Sequence, residues 1–307
     1  MVRHPGRRTV LRALAAGAGV LVLPRWGAAQ AAPVVTKPIP STGEALPVVG
    51  LGTWITFNVG NDAAARDSCA EVMRAFFRAG GRVIDSSPMY GSAEEVIGYG
   101  LKKLGMPKQL FSATKVWTSS RSEGSAQIAT SERLWGIPKF DLEQVHNLLS
   151  WETHLETLAA LKSEGRIRYV GITTSEGRRH DDFEKVMRAR KLDFVQVTYN
   201  IRDREVEDRI LPLAAERGMA VIVNRPFRRG ALIAQLEKKP LPAWAAEIGC
   251  ANWAQFLLKF AVSHPAVTCA IPATSRVDHV EENMAAATGR MPDAATRARM
   301  IDYVKSL

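Results

Sequence analysis

The sequence predicts an α/β protein folded as one (β/α)8 TIM barrel, and three observations carry that prediction. Eight short apolar runs recur, at residues 48–52, 82–85, 110–116, 142–148, 167–173, 194–198, 220–224 and 267–271. Helix-like stretches lie between them, and strands that alternate with helices build a parallel sheet with helical crossovers. The third observation is a missing loop. An open dinucleotide-binding sheet carries GxGxxG at its first strand-to-helix turn, whereas Gly50-Leu51-Gly52 continues into Thr53-Trp54-Ile55. A GxxxxGK[ST] phosphate loop is missing as well.

Taken in order, residues 36–49 hold Pro38, Pro40, Gly43 and Pro47 and read as a hairpin or loop leading into the first strand. Residues 68–79 repeat apolar side chains at Cys69, Val72, Met73, Phe76 and Phe77, and residues 93–104 at Val96, Ile97, Leu101 and Leu104, both at helical spacing. Further helices are predicted at 154–162, 182–189, 208–216 and 253–262. No Pro/Gly/Ser-rich linker divides the body. Residues 32–307 therefore read as one domain, close to the ~250 residues typical of such barrels.

Of 307 residues, 46% are hydrophobic and 23% charged, a globular balance that excludes a disordered or polytopic membrane chain. Lys and Arg number 41 against 31 acids, a formal charge of +10. Five of those arginines, Arg3, Arg7, Arg8, Arg12 and Arg25, fall in residues 1–31, which hold no acid. The rest carries 36 basic against 31 acidic residues, or +5, too mild a surplus to call for a nucleic-acid partner.

Within residues 1–31, Arg7-Arg8-Thr9-Val10-Leu11-Arg12 precedes an apolar run at 13–23 and then Ala29-Gln30-Ala31. Charged, apolar and small-residue parts in that order make a removable signal peptide, and the paired arginines resemble a twin-arginine signal. About 11 apolar residues are too few to span ~30 Å of hydrocarbon. The expectation is a folded domain handed to the twin-arginine machinery, located in the periplasm, with no stable membrane anchor after cleavage. Cys69, Cys250 and Cys269 are far apart and form no CxxC, which excludes a disulfide framework or a cysteine zinc site. Six histidines, of which only His146 lies at a strand end, leave no metal centre to predict.

Side chains at the C-terminal ends of barrel strands converge on one mouth. Asp85 ends the second run, Lys115 lies at the end of the third, and His146 sits late in the fourth. Tyr90 follows Asp85 by five residues, in a loop able to fold back over the mouth. A phenol with a pKa near ~10 is a poor acid at neutral pH, but a neighbouring ammonium favours the phenolate. Lys115 is therefore expected to lower the Tyr90 pKa, Asp85 to hold Lys115, and His146 to hydrogen-bond a substrate oxygen. Tyr90 would give its proton to a carbonyl oxygen as hydride reaches the carbon.

The order of these residues resembles the aldo-keto reductase superfamily over about residues 39–287. The match is carried by Val49-Gly50-Leu51-Gly52-Thr53-Trp54, Val83-Ile84-Asp85-Ser86-Ser87-Pro88-Met89-Tyr90-Gly91, Ala113-Thr114-Lys115, Val145-His146-Asn147 and the segment 162–173. The resemblance implies a barrel with Tyr90, Lys115, Asp85 and His146 as catalytic tetrad, an NAD(P)H-dependent carbonyl reductase. NADP(H) is the implied cofactor and NAD(H) the alternative, bound without a Rossmann loop. By position, Gln196 should meet the nicotinamide carboxamide with Thr173 or Thr174 nearby. Residues 271–276 continuing to Asn283 should hold the adenosine end, through Thr274, Arg276, Glu282 and Asn283.

Departures from the family pattern sharpen the reading. Asn224 stands where many members place a tyrosine that stacks on the nicotinamide, and Arg225 and Arg229 lie close enough in sequence to pair with a pyrophosphate. Positions often basic in NADPH users fall on Ala273 and His279, which leaves Arg276 for a 2′-phosphate. Trp54 and Trp117, with Phe57 and Trp151, follow strands and predict an apolar-walled pocket for a small carbonyl substrate, with packing between barrel and helices an equal alternative for Phe57 and Trp151. The alternative is a non-enzymatic regulatory or redox-sensing protein that binds a nucleotide on the same barrel; the complete tetrad weighs against it.

Overall fold

The first and last of the eight apolar runs meet to close one parallel sheet into a ring. The computed structural model describes Met1 and residues 33–307, so the export-signal reading of residues 1–31 lies outside the described residues. An antiparallel hairpin of β1 (Thr36–Pro38) and β2 (Ala45–Pro47) comes first, as the proline and glycine spacing predicts. The sheet then adds β3 (Leu51–Gly52), β4 (Val83–Asp85), β5 (Phe111–Val116), β6 (Leu142–Val145), β7 (Tyr169–Thr173), β8 (Phe194–Thr198), β9 (Ala220–Asn224) and β10 (Cys269–Ala270). Each strand pairs in parallel with the next in chain order. Closure comes from backbone bonds beyond the named strands: Gly50 N–H donates to Ala270 O at 2.8 Å and Ala270 N–H to Val48 O at 2.9 Å. Parallel bridges at Val49–Ala270 and Gly52–Ala273 complete it. The fold is the predicted (β/α)8 barrel.

Helices pack around the sheet: α1 (Ala63–Arg78), α2 (Ala93–Lys103), α3 (Arg121–Trp135), α4 (Trp151–Ser163), α5 (His180–Ala189), α6 (Ile210–Glu216), α7 (Ala231–Leu236), α8 (Trp253–Val262), α9 (Val277–Ala285) and α10 (Ala294–Lys305). Asp62 caps α1 by accepting from Ala65 N–H, and Asn252 caps α8 by accepting from Gln255 N–H. The buried apolar residues divide into two groups. The larger fills the layer between sheet and helices. The smaller, including Phe111, Leu142, Tyr169, Phe194 and Ile222, packs inside the barrel, and Ile39 and Leu46 from the hairpin join it as a floor.

One expectation needs correction, and three helices were not anticipated. The fourth strand ends at Val145, because His146–Leu148 form a 3-10 turn in which Asn147 and Leu148 take the left-handed conformation, at φ 53° and 56°. Helix α3 was not predicted. It faces the core with Gly124, Ile128, Ser131 and Trp135, which keep helical spacing but only half of which are apolar. Helices α7 and α10 were also unassigned; the first has six residues and the second buries Arg297 beside Met300 and Val304, which breaks the apolar face.

Candidate active site

Polar side chains gather at the C-terminal ends of the strands, above the apolar interior. Strand alternation turns Asp85, Lys115, Gln144 and Gln196 into the barrel. Lys115 Nζ donates to Asp85 Oδ2 at 2.6 Å and to the Ser86 carbonyl at 2.6 Å, and both members of the pair are essentially solvent-free. The other Asp85 oxygen accepts from Gln196 Nε2 at 2.9 Å and from Gln144 Nε2 at 3.2 Å. Gln144 has room because β7 offers Gly171 beside it: a Cβ there would sit 3.1 Å from Gln144 Cγ and 2.9 Å from Phe194 O. Thr53 donates to the Asp85 carbonyl at 2.9 Å and fixes the end of β4.

Tyr90 lies over this pair. Lys115 Nζ is 5.2 Å from the centre of the Tyr90 ring, and the ring meets His146 edge-on at 5.8 Å. The loop that carries Tyr90 is tied to the preceding one: Ser92 N–H and Oγ–H donate to Asn58 Oδ1 at 3.0 and 3.1 Å. Gly91 turns the chain at φ 62°, and a side chain there would run into Asn58. His146 Nδ1 lies 2.8 Å from Ser87 Oγ, while Thr173 Oγ1 accepts from Asn147 N–H at 3.0 Å and holds the backbone beside the imidazole.

Electrostatics follow from this burial. Desolvation pulls the Lys115 ammonium down, but the Asp85 charge and the hydrogen bond to it lead the opposing effects and the net shift is upward, so Lys115 is a cation. Burial, with Lys115 and Arg178 adding repulsion, pushes the His146 imidazole down to about 2, so it is neutral. For Tyr90 the Lys115 charge acts downward as expected, but it is not the largest effect. Burial raises the phenol above its ordinary value, and the Lys115 charge recovers only part of that. Tyr90 therefore holds its proton at neutral pH.

Around the mouth, Asn224 takes an amide network in place of a stacking ring: its Nδ2 donates to Thr174 O at 2.9 Å, and its Oδ1 accepts from Thr198 Oγ1 at 2.6 Å. Arg225 and Arg229 do reach the mouth, where both donate to Glu176, which sequence reasoning missed. Arg225 Nε is buried without a partner among the described residues. Arg229 also covers one face of Trp54, at 4.2 Å. Trp117 is exposed after β5, and Ile55 and Met89 are exposed on the loops after β3 and β4, so three successive loops give the mouth an apolar rim. Phe57 and Trp151 pack instead against the core.

Thr274, Arg276, Glu282 and Asn283 lie together at and along α9, without a hydrogen bond to the tetrad. Thr274 Oγ1 accepts from Arg276 N–H at 3.1 Å, and the Arg276 guanidinium is engaged by Asp278 at 2.5 and 3.0 Å. A cavity of about 390 Å3 lined by Pro88, Glu94, Gln127 and Ser131 lies behind the Tyr90 loop, against α2 and α3, rather than over the tetrad. Ser87, Gln144 and Glu176 are the site residues missed from sequence. A polar residue two positions before His146, in a strand buried on both faces, was the one available signal, and it marks Gln144.

Amide donors and acceptors from Gln196 and Asn224, beside guanidinium groups and a buried unpartnered Arg225 N–H, suit a ligand that joins a carboxamide to phosphates. The chain is 28% identical over 247 residues to a methylglyoxal reductase of Escherichia coli, an alignment that covers 78% of this chain and 85% of that one. It is 28% identical over 242 residues to an NADH-specific methylglyoxal reductase of the same organism, covering 68% and 72%. Among solved structures, an aldo/keto reductase from Klebsiella pneumoniae in complex with NADP and acetate superposes with a TM-score of 0.72 at 25% identity, covering 85% of this chain and 92% of that one. The sequence model of the aldo/keto reductase family matches residues 48–298, the whole barrel from its first strand to the last helix, and the chain belongs to that family.

Proposed function

We propose that this enzyme reduces a small aldehyde or ketone to the alcohol, with Tyr90 as proton donor. The single observation that carries the reading is the solvent-free Lys115–Asp85 pair beneath Tyr90 with a neutral His146 alongside. A bound nicotinamide dinucleotide supplies the hydride. Tyr90 keeps its proton until an alkoxide, far more basic than a phenolate, develops on the substrate oxygen. Lys115 then stabilises the phenolate that remains, and Asp85 keeps Lys115 charged and in place. His146 is neutral and donates a hydrogen bond to the same oxygen. Trp54, Trp117, Ile55 and Met89 form an apolar entrance that favours a small, weakly polar carbonyl.

Gln196, Thr173 and Asn224 are assigned to the carboxamide, Arg225 and Arg229 to the pyrophosphate, and Thr274, Arg276, Glu282 and Asn283 to the adenosine end. NADP(H) is the expected cofactor and NAD(H) the alternative, since Arg276 must leave Asp278 to meet a 2′-phosphate. Residues 1–31 are read as a twin-arginine signal that exports the folded barrel to the periplasm. Replacing Arg7 and Arg8 by lysine should keep the tagged full chain in the cytoplasm of a bacterial host; unchanged export would reject that reading.

The test of function is oxidation of NADPH and NADH by the purified protein with a panel of aldehydes and ketones, methylglyoxal included because two relatives reduce it. Carbonyl-dependent oxidation is expected. Tight dinucleotide binding with no turnover on any carbonyl would favour the nucleotide-binding regulatory alternative.

A further inference from the structure

We infer that Ser87 is a positioning residue that fixes His146 as its Nε2–H tautomer, and so decides that His146 faces the carbonyl oxygen as a donor. The inference rests on the reading of the site as a carbonyl reductase. Ser87 is fully buried, and its hydroxyl has two partners among the described residues: Met89 N–H at 3.3 Å and His146 Nδ1 at 2.8 Å. A hydroxyl owns one hydrogen to give. Met89 N–H can only donate, so the Ser87 hydrogen has Nδ1 as its one acceptor. Were Nδ1 protonated, two donors would face the same oxygen and the hydroxyl hydrogen would be buried without an acceptor, an arrangement that folded proteins avoid.

The imidazole is neutral, because burial and the neighbouring Lys115 charge both oppose its protonation. Its single N–H therefore belongs to Nε2, which has no partner among the described residues. With the Tyr90 ring 5.8 Å away and edge-on, the phenol and the Nε2–H are two donors available to one substrate oxygen. The opposite tautomer would point a lone pair at that oxygen and repel it. The backbone supports the same orientation: Asn147 N–H is held by Thr173, and Asn147 and Leu148 adopt left-handed conformations that no glycine eases.

The direct test is nitrogen-15 NMR of the imidazole in the full chain, with the His146 signal assigned by its loss in His146→Gln. The wild type should show a protonated Nε2 and a bare Nδ1. In Ser87→Ala the two tautomers should mix and kcat for a carbonyl should fall on the order of tenfold, the scale of one hydrogen bond, while dinucleotide Kd stays unchanged. A protonated Nδ1 in the wild type, an unchanged tautomer in Ser87→Ala, or a changed tautomer with kcat intact would each overturn the inference. If Ser87→Ala does not fold, the wild-type spectrum alone decides. The spectrum needs no turnover, so a protein that reduces no carbonyl would defeat the functional reading while the tautomer is still settled on its own evidence.

Discussion

Asparagine in place of Asp85 keeps the side-chain shape but removes the charge that Lys115 faces. The pair is sealed, with the lysine side chain 0% and the aspartate 2% exposed. Breaking a buried ion pair by deleting one partner costs about 3–5 kcal/mol, because the other charge is stranded. Deprotonating Lys115 is no cheaper escape. At pH 7 it costs about 1.4 kcal/mol for each unit below a normal lysine value near ~10.4, nearly 5 kcal/mol in all. For a domain of this size each kcal/mol moves Tm by about 2–4 °C, so Asp85→Asn should lower Tm by roughly 6–20 °C. A second change, Lys115→Met in the Asp85→Asn background, removes the stranded cation and should restore much of the stability while leaving the protein inactive. Thermal unfolding of wild type, both single variants and the double variant closes the cycle. A single Asp85→Asn variant within about 1 kcal/mol of wild type, or a double variant no more stable than the single, would refute the account of a desolvated, mutually dependent pair.

Glu143 offers a second test, outside the catalytic chemistry. It is fully buried, neither carboxyl oxygen has a partner among the described residues, and burial, then Glu94 and Glu132, raise its pKa well above the ordinary carboxylate value. The folded state thus holds a proton that the unfolded chain releases above pH ~4.3, and stability is full below that pH and lost as pH rises toward the folded-state value, by at most about 1.4 kcal/mol per unit. Urea unfolding should therefore show Glu143→Gln gaining on wild type between pH 5 and pH 8; a constant difference would count against a protonated Glu143. Arg225→Gln should weaken dinucleotide binding by on the order of tenfold or more, as read by tryptophan fluorescence at constant salt, because a charge-assisted bond contributes about 1.5–3 kcal/mol. Equal affinity would remove Arg225 from the phosphate site.

The barrel was legible because its strands are buried on both faces and write themselves as apolar runs, from 48–52 to 267–271, with polar punctuation at one end. The same logic picked out Asp85, Lys115 and His146 as strand-end polar residues, and the structure brings all three together under Tyr90. Illegible features have physical causes. The run at 142–148 closes on an apolar Leu148, yet a left-handed turn stops the strand at Val145, and hydropathy carries no record of φ. Helix α3 hides because two of its four core contacts are glycine and serine. Ser87 has no pattern at all, since a serine at a strand end is indistinguishable from a loop residue until its hydroxyl is seen against Nδ1. The sign of the Tyr90 shift depended on weighing burial against one ammonium, and burial is a property of the folded chain.

The central claim is that Tyr90 delivers the proton. Tyr90→Phe removes one oxygen from a ring already held by Lys115 and His146, so dinucleotide affinity should stay at the wild-type value. Carbonyl-dependent NAD(P)H oxidation should drop by about 10²–10⁴-fold, the range set by loss of a general acid. Turnover in Tyr90→Phe equal to wild type, with the cofactor bound as tightly, would contradict the account.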